Sequence, residues 1–170
     1  MALILPVRGF EPKYGKGCYF AENASIIGDV IMGDDCSVWF QAVIRGDVNS
    51  IRLGNKVNIQ DGAVLHTTYQ KSVIEMGNNV SIGHNVIIHG AKIENNVLVG
   101  MGAIVMDFAH IGENSIIAAG SVVLENTIVE PGSIYGGVPA KKIKSVNERQ
   151  TKEMIERIAN NYLMYSDWYR

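Results

Sequence analysis

Residues 93–129, IENNVLVGMGAIVMDFAHIGENSIIAAGSVVLENTIV, place an aliphatic residue at every sixth position: Ile93, Val99, Val105, Ile111, Ile117, Val123 and Val129. Four places after each stands a small or β-branched residue: Val97, Ala103, Ala109, Ser115, Ser121, Thr127 and Ser133. A helical stripe would repeat near 3.6 and a half-buried strand would alternate, and neither describes this spacing. A six-residue period reads as a parallel β-helix. Each hexad supplies a short strand and a tight corner, and three hexads close one coil. The aliphatic side chain fills the interior, and the small residue sits where the interior narrows.

Toward the N-terminus the rule continues with Phe20, Ile26, Met32, Val38 and Ile44, paired with Ala24, Val30, Cys36, Ala42 and Val48. It resumes at Leu53, Ile59 and Leu65, and again at Met76, Ile82 and Ile88. The register slips after Ile44 and after Leu65, where extra residues are expected to loop or bulge outward. It slips once more after Ile88, where Ile93 follows in five steps. These slips flank His66, His84 and His89, and a functional site is where a regular scaffold is interrupted.

Hexads three apart stack at the spacing of neighbouring strands, ~4.8 Å. Arg45, His66 and His89 each follow their aliphatic by one place and form one column, with His66 and His89 on adjacent coils. Asp61 and His84 follow by two places, on another face, so His84 does not join the other two within one subunit. A threefold homotrimer would let a neighbour's His84 complete the set. Imidazole is the commonest protein ligand for zinc, and three imidazoles with one open position form a catalytic site. A single corner histidine is more often merely solvated or hydrogen-bonded. Three in one short window, two of them stacked, favour a metal between subunits. His110, at the last place of its hexad, reads as an ordinary surface or packed residue.

At 170 residues the chain reads as a single domain, 1–170. A hydrophobic content of 47% and a charged content of 19% fit a soluble globular protein. The net charge of −2 gives no basic footprint for nucleic acid. The opening MALILPVRGFEP lacks the basic and long apolar regions of a secretion signal, and no stretch reaches the length of a membrane span. A cytoplasmic location is therefore expected. The glycines are spaced for corners and make no phosphate-binding loop. Cys18 and Cys36 take equivalent inward positions one coil apart, close enough for a disulfide; two reduced core thiols are the expectation for a cytosolic chain.

Residues 1–13 read as an extended lead-in that caps one end, 14–135 as the coils, and 136–144 as a turn and exit. Ser145 and Glu148 have capping-box spacing. Thr151, Ile155, Ile158, Tyr162 and Tyr165 recur at helical spacing, which predicts a helix over 147–165 packed outside the coils.

The segments IRGDVNSIRLGNKVNIQDGAVLH (44–66), IGHNVIIHG (82–90) and YGGVPAK (135–141) resemble the γ-class carbonic anhydrases. The resemblance covers most of the chain and is specific at RGD, NIQDG…H and GHNVIIHG. It implies a left-handed parallel β-helix of hexapeptide repeats with a C-terminal α-helix, and a homotrimer with a metal site at each interface. His66 and His89 match ligands from one subunit and His84 the ligand from the next; the metal would be zinc, with iron or cobalt as alternatives. The implied activity is reversible hydration of CO2 to bicarbonate by a metal-bound hydroxide. Arg45 and Asp47 resemble the pair that supports the interface, though a plain salt bridge is an equal reading. Asn58, Gln60 and Asp61 resemble the family's polar surround, with Gln60 near the metal-bound water and Asp61 orienting a histidine or capping a turn. Tyr162 resembles a tyrosine beside that water in some relatives; its other reading is helix packing. One departure concerns acidic residues beside the site, one of which is thought to shuttle protons in familiar members. Here Val48 follows Asp47, and TTYQKSVIE after His66 has only Glu75, so proton export would be slow.

Two further classes share the scaffold. A hexapeptide-repeat acyltransferase or thioesterase acting on acyl-CoA can use a lone intersubunit histidine as general base. A non-catalytic metal-bearing scaffold would need no proton export. Metal content separates the first of these from the anhydrase, and CO2 turnover the second.

Overall fold

The computed structural model describes residues 1–170. Its strands are mostly two or three residues long and stack in parallel on three faces. One face aligns Ile44, Leu65, Ile88, Val105 and Val123. A second aligns Leu53, Met76, Ile93, Ile111 and Val129. The third aligns Val38, Ile59, Ile82, Val99, Ile117 and Tyr135. The hexad aliphatics are thus the stacked interior, and most are fully buried. β-branched side chains suit such strands because the pleat holds their restricted rotamers against neighbours above and below. The small positions Ala103, Ala109, Ser115 and Ser121 are buried too.

The corners explain the polar residues of each hexad. Asp35, Lys56, Asn79, Asn96 and Asn114 all hold positive φ, a conformation Asn and Asp tolerate better than most residues. Beside them runs a ladder in which the carboxyl or amide oxygens of Asp34, Asn55, Asn78 and Asn95 accept backbone N–H groups one coil away. The corner thereby satisfies donors that no strand partner reaches.

The first two register slips turn out differently from each other. After Ile44 the extra residues stay within one continuous strand, Val43–Leu53, which bends from the first face to the second beside Ser25–Met32. Ile51, in register with Val30 and Ile74, takes the inward place, and Val48 does not. The expected pairing of Ile44 with Val48 is corrected accordingly: a bulge displaces the inward position by three residues. After His66, by contrast, the chain leaves the sheet and re-enters at Ile74.

Both ends differ in detail from the sequence reading. Leu3–Leu5 joins the first face in parallel register with Ser25–Ile27, so part of the lead-in is a strand. Residues 141–145 form an antiparallel strand against Ser133–Gly136, where a plain exit was expected. Ser145 is therefore in a strand and caps nothing. The capping box is Asn147 with Gln150: the Asn147 side chain accepts from the Gln150 N–H and the Gln150 side chain from that of Asn147. The helical segment runs 148–167, with a π-helical stretch at Thr151–Glu156. Ile155 packs with Leu98, Ile116 and Ile134 on the outside of the third face. Cys18 and Cys36 are free thiols on adjacent coils, each donating to a backbone carbonyl.

Candidate metal centre

His66 ends the strand Val64–His66, His89 ends Ile87–His89, and the two are in register on adjacent coils. His66 Nδ1 lies 3.3 Å from His89 Nε2. Their other nitrogens are held by carboxylates: His66 Nε2 is 3.1 Å from Asp47 Oδ1, and His89 Nδ1 is 2.8 Å from Asp107 Oδ2. A ring nitrogen that donates to a carboxylate leaves the opposite nitrogen with its lone pair. The facing nitrogens are therefore both lone-pair donors, a repulsive arrangement unless an electrophile lies between them. Zinc bound at about 2.0–2.1 Å in tetrahedral geometry separates two ligand nitrogens by about 3.3 Å, so the pair fits such an ion.

Charge and burial keep the His66 ring neutral. The His66 imidazole is held below its ordinary pKa by burial and by the Arg45 guanidinium, against the pull of Asp47. Asp47 itself stays below the usual carboxylate range; burial opposes this, and hydrogen bonds from Arg45 and His66 outweigh it. Arg45 Nη1 meets Asp47 Oδ2 at 2.6 Å while the other carboxylate oxygen serves His66. Arg45 and Asp47, two residues apart on the bent strand, thus form a relay that ends on a histidine.

His84 occupies the corner after Ser81–Ile82. Its Nδ1 is 2.9 Å from Asp61 Oδ2, and its Nε2 is 3.5 Å from Tyr162 Oη. Asp61 therefore orients a histidine, and the C-terminal helix brings Tyr162 to it. Burial, with Asp61 second, pushes the Tyr162 phenol up to about 12. Within one chain, no group of three His, Cys, Asp or Glu side chains comes together at metal-binding geometry. Gln60 Nε2 donates to Asn58 Oδ1 at 3.0 Å, and Asn58 Nδ2 donates to Ser81 Oγ at 2.7 Å. Gln60 and His84 stand at the edge of a cavity of about 470 Å³ between the third face and the helix, walled mainly by apolar residues such as Leu98, Ile116 and Met154. His110 lies elsewhere, paired with Glu94 at 2.7 Å.

The chain is 39% identical over 168 residues to a carbonic anhydrase of Geobacillus kaustophilus, covering 99% of this chain and 91% of that one. It belongs to the γ-class carbonic anhydrase family. Gamma carbonic anhydrase 2, mitochondrial, of Arabidopsis thaliana is 38% identical over 90% of this chain, which spans only 56% of that longer protein. The crystal structure of a hexapeptide transferase family protein from Anaplasma phagocytophilum superposes with a TM-score of 0.94 at 39% identity, covering 99% of this chain and 98% of the other. The family model for the bacterial transferase hexapeptide (six repeats) matches residues 90–125.

One part of this candidate site escaped the sequence reading. Asp107 is almost fully buried, and it accepts from Thr68 Oγ1 at 3.1 Å and from Ser72 Oγ while holding His89. Burial works against its charge, but the bonds from Ser72 and His89 keep its carboxyl below the usual range. Thr68 and Ser72 belong to the segment that leaves the sheet after His66. Gly90 lies beneath them at φ +64°, and a Cβ there would collide with both Ser72 and Asp107. The available signal was a lone acidic residue, Asp107, two places after Val105 and one coil beyond Gly90.

Proposed function

We propose that the protein catalyses the reversible hydration of CO2 to bicarbonate at a metal held between subunits of a homotrimer. His66 and His89 of one copy and His84 of a neighbouring copy would hold the ion, with zinc the first choice and iron or cobalt as alternatives. One observation carries this reading: two facing imidazole nitrogens at 3.3 Å, each ring backed by a carboxylate. His84 is presented in the same way, with Asp61 behind it and the far nitrogen free of any carboxylate.

Such an ion supplies Lewis-acid activation of water near neutral pH. The chain's own residues do the rest. Asp47, Asp107 and Asp61 fix the three tautomers so that each ring offers a lone pair. Gln60, pinned through Asn58 to Ser81, keeps its carbonyl oxygen free of protein partners and able to accept from a water molecule beside His84. The apolar wall of the adjoining cavity suits a small nonpolar reactant such as CO2. No carboxylate other than Glu75 lies in 67–76, and Glu75 sits on the second face in register with Arg52 and Lys92. Proton export is therefore left to buffer. No helix of the chain is long and apolar enough to cross a membrane, and the location proposed with this activity is the cytoplasm.

The test is metal content alongside stopped-flow CO2 hydration on one anaerobically prepared sample, with and without imidazole as proton carrier. About one metal per chain, with hydration raised by imidazole, is the expected result. A chain that takes up no zinc or anaerobic iron overturns the proposal. The His84–Asp61 pair also has the form of a general-base dyad, which favours acyl transfer as the second reading. In that case His84→Ala abolishes acyl transfer while His66→Ala leaves it intact.

A further inference from the structure

A second cavity, of about 240 Å³, opens where the end of the C-terminal helix meets the first coils. Its composition is unlike that of the rest of the surface. Aromatic residues make up 8% of the chain, yet six of the seven residues around this cavity are aromatic. Trp39 and Phe40 form the floor from the coil side, and Tyr162, Tyr165, Trp168 and Tyr169 come from the helix and its last turn. The seventh is Asp61. No Lys or Arg lines it.

The rings brace one another, mostly edge to face. Trp39 meets Tyr162 at 5.2 Å and 80°, and Tyr169 at 5.7 Å and 85°. Phe40 meets Tyr169 at 5.7 Å, and Tyr165 meets Trp168 at 5.0 Å. Such braced rings hold a shape without a ligand. Asp61 gives one carboxylate oxygen to His84, and its other oxygen has no partner in the chain. Its side chain is 42% exposed, so that oxygen is reachable from solvent.

Aromatic faces carry negative quadrupole potential, and a carboxylate adds a full charge of the same sign. A neutral apolar ligand would gain nothing from Asp61, and an anion would be repelled by it. We propose that this cavity binds a small organic cation of the alkylammonium class. The ammonium head would sit among the rings facing the free Asp61 oxygen. The volume suits a head group with a short substituent rather than a drug-sized molecule. Asp61 and Tyr162 line this cavity and also contact His84, so the two sites share a wall. Ligand binding here is read without metal content or turnover, which keeps its test separate from that of the metal chemistry.

Both tryptophans of the chain line the cavity, so intrinsic fluorescence reports its occupancy directly. The probe is choline, titrated into the full-length, zinc-treated protein and followed by fluorescence and calorimetry. The control is its uncharged isostere, in which carbon replaces the ammonium nitrogen. Saturable binding of choline in the millimolar range is expected, about tenfold weaker for the isostere. Trp168→Leu and Tyr169→Leu, both at exposed positions, should each weaken choline binding several-fold while the variants remain folded, with at most a small drop in melting temperature from the lost ring contacts. Equal affinity for choline and isostere, no saturable binding of either, or full choline affinity in both variants overturns the proposal.

Discussion

The two halves of the solenoid obey the same six-residue rule to different degrees, and the chemistry follows the difference. Residues 93–129 keep the period without interruption, and their stacked Ile and Val side chains build a buried column. Residues 44–92 break it three times, and each break delivers part of the candidate site. The bulge in Val43–Leu53 turns Asp47 back onto His66. The departure after His66 carries Thr68 and Ser72 to Asp107. The missing residue after Ile88 leaves Gly90 at the one place where those side chains must pass. Regular coils supply a rigid platform, and irregular ones supply groups that a perfect hexad would aim at solvent.

The largest expected effect comes from removing a facing nitrogen. His66→Ala should abolish stoichiometric metal binding and CO2 hydration, while a buried-column change in the regular half, such as Val105→Ala, should lower stability by about 2 kcal/mol and leave metal content unchanged. Metal analysis and thermal unfolding of the two variants check this together. Full CO2 turnover in His66→Ala would break the contrast between the halves.

Asp107→Asn comes next. The amide can still accept from His89 but carries no charge, and loss of such an outer partner typically costs 10–100-fold in metal affinity, so a drop of about that size is expected. Competition with a chromogenic chelator measures it without reference to activity. An unchanged affinity would make Asp107 a plain structural acceptor for Thr68 and Ser72.

The repeat was legible because it rests on residue type alone. Aliphatics six apart give the stacked faces directly, and the one-place and two-place offsets put His66 over His89 and Asp61 beside His84. What escaped was everything set by the breaks. Val48 looks like an inward residue by counting, but a bulge has no sequence mark that separates it from a loop, and Ile51 takes the place. Asp107 sits in the regular half by sequence and serves the irregular half in space. Ser145 and Asn147 both carry a capping side chain, and only the antiparallel strand at 141–145 decides between them. Counting also put His84 on another face from His66 and His89, and within one chain the three do not come together.

A third prediction compares two glycines that share a left-handed backbone. Gly90 (φ +64°) faces Ser72 and Asp107, whereas Gly102 (φ +68°) has nothing within 4 Å of where a Cβ would lie. Gly102→Ala should cost about 1 kcal/mol, the strain of that conformation alone. Gly90→Ala should cost more, about 2–3 kcal/mol, because it also drives apart a buried hydrogen-bonded carboxylate. Urea unfolding of both variants reads the difference, and equal losses would show that the Asp107 cluster relaxes freely.

The smallest effect expected is in the pH dependence of the metal-free protein, and it should again fall on the interrupted half. His66 is held below its ordinary value of 6.5, so the unfolded chain takes up a proton there before the folded one does. Its contribution is complete above pH 6.5 and is lost as pH falls below that value. Asp47 and Asp107 are held below their ordinary 3.8, so their contribution is full above 3.8 and disappears only as pH falls through their lower folded values. The interval between the two ordinary values therefore isolates the histidine. Stability of the metal-free chain should decline across it, and in His66→Gln the part of that slope due to this ring should vanish. Glu94 in the regular half is also held low, through His110, but that pair is surface-exposed and solvent screens it. Amide exchange resolved by residue should place the acid-induced opening at 44–92 before 93–129; simultaneous opening of both would show that the stacked column transmits the loss without regard to where the proton binds.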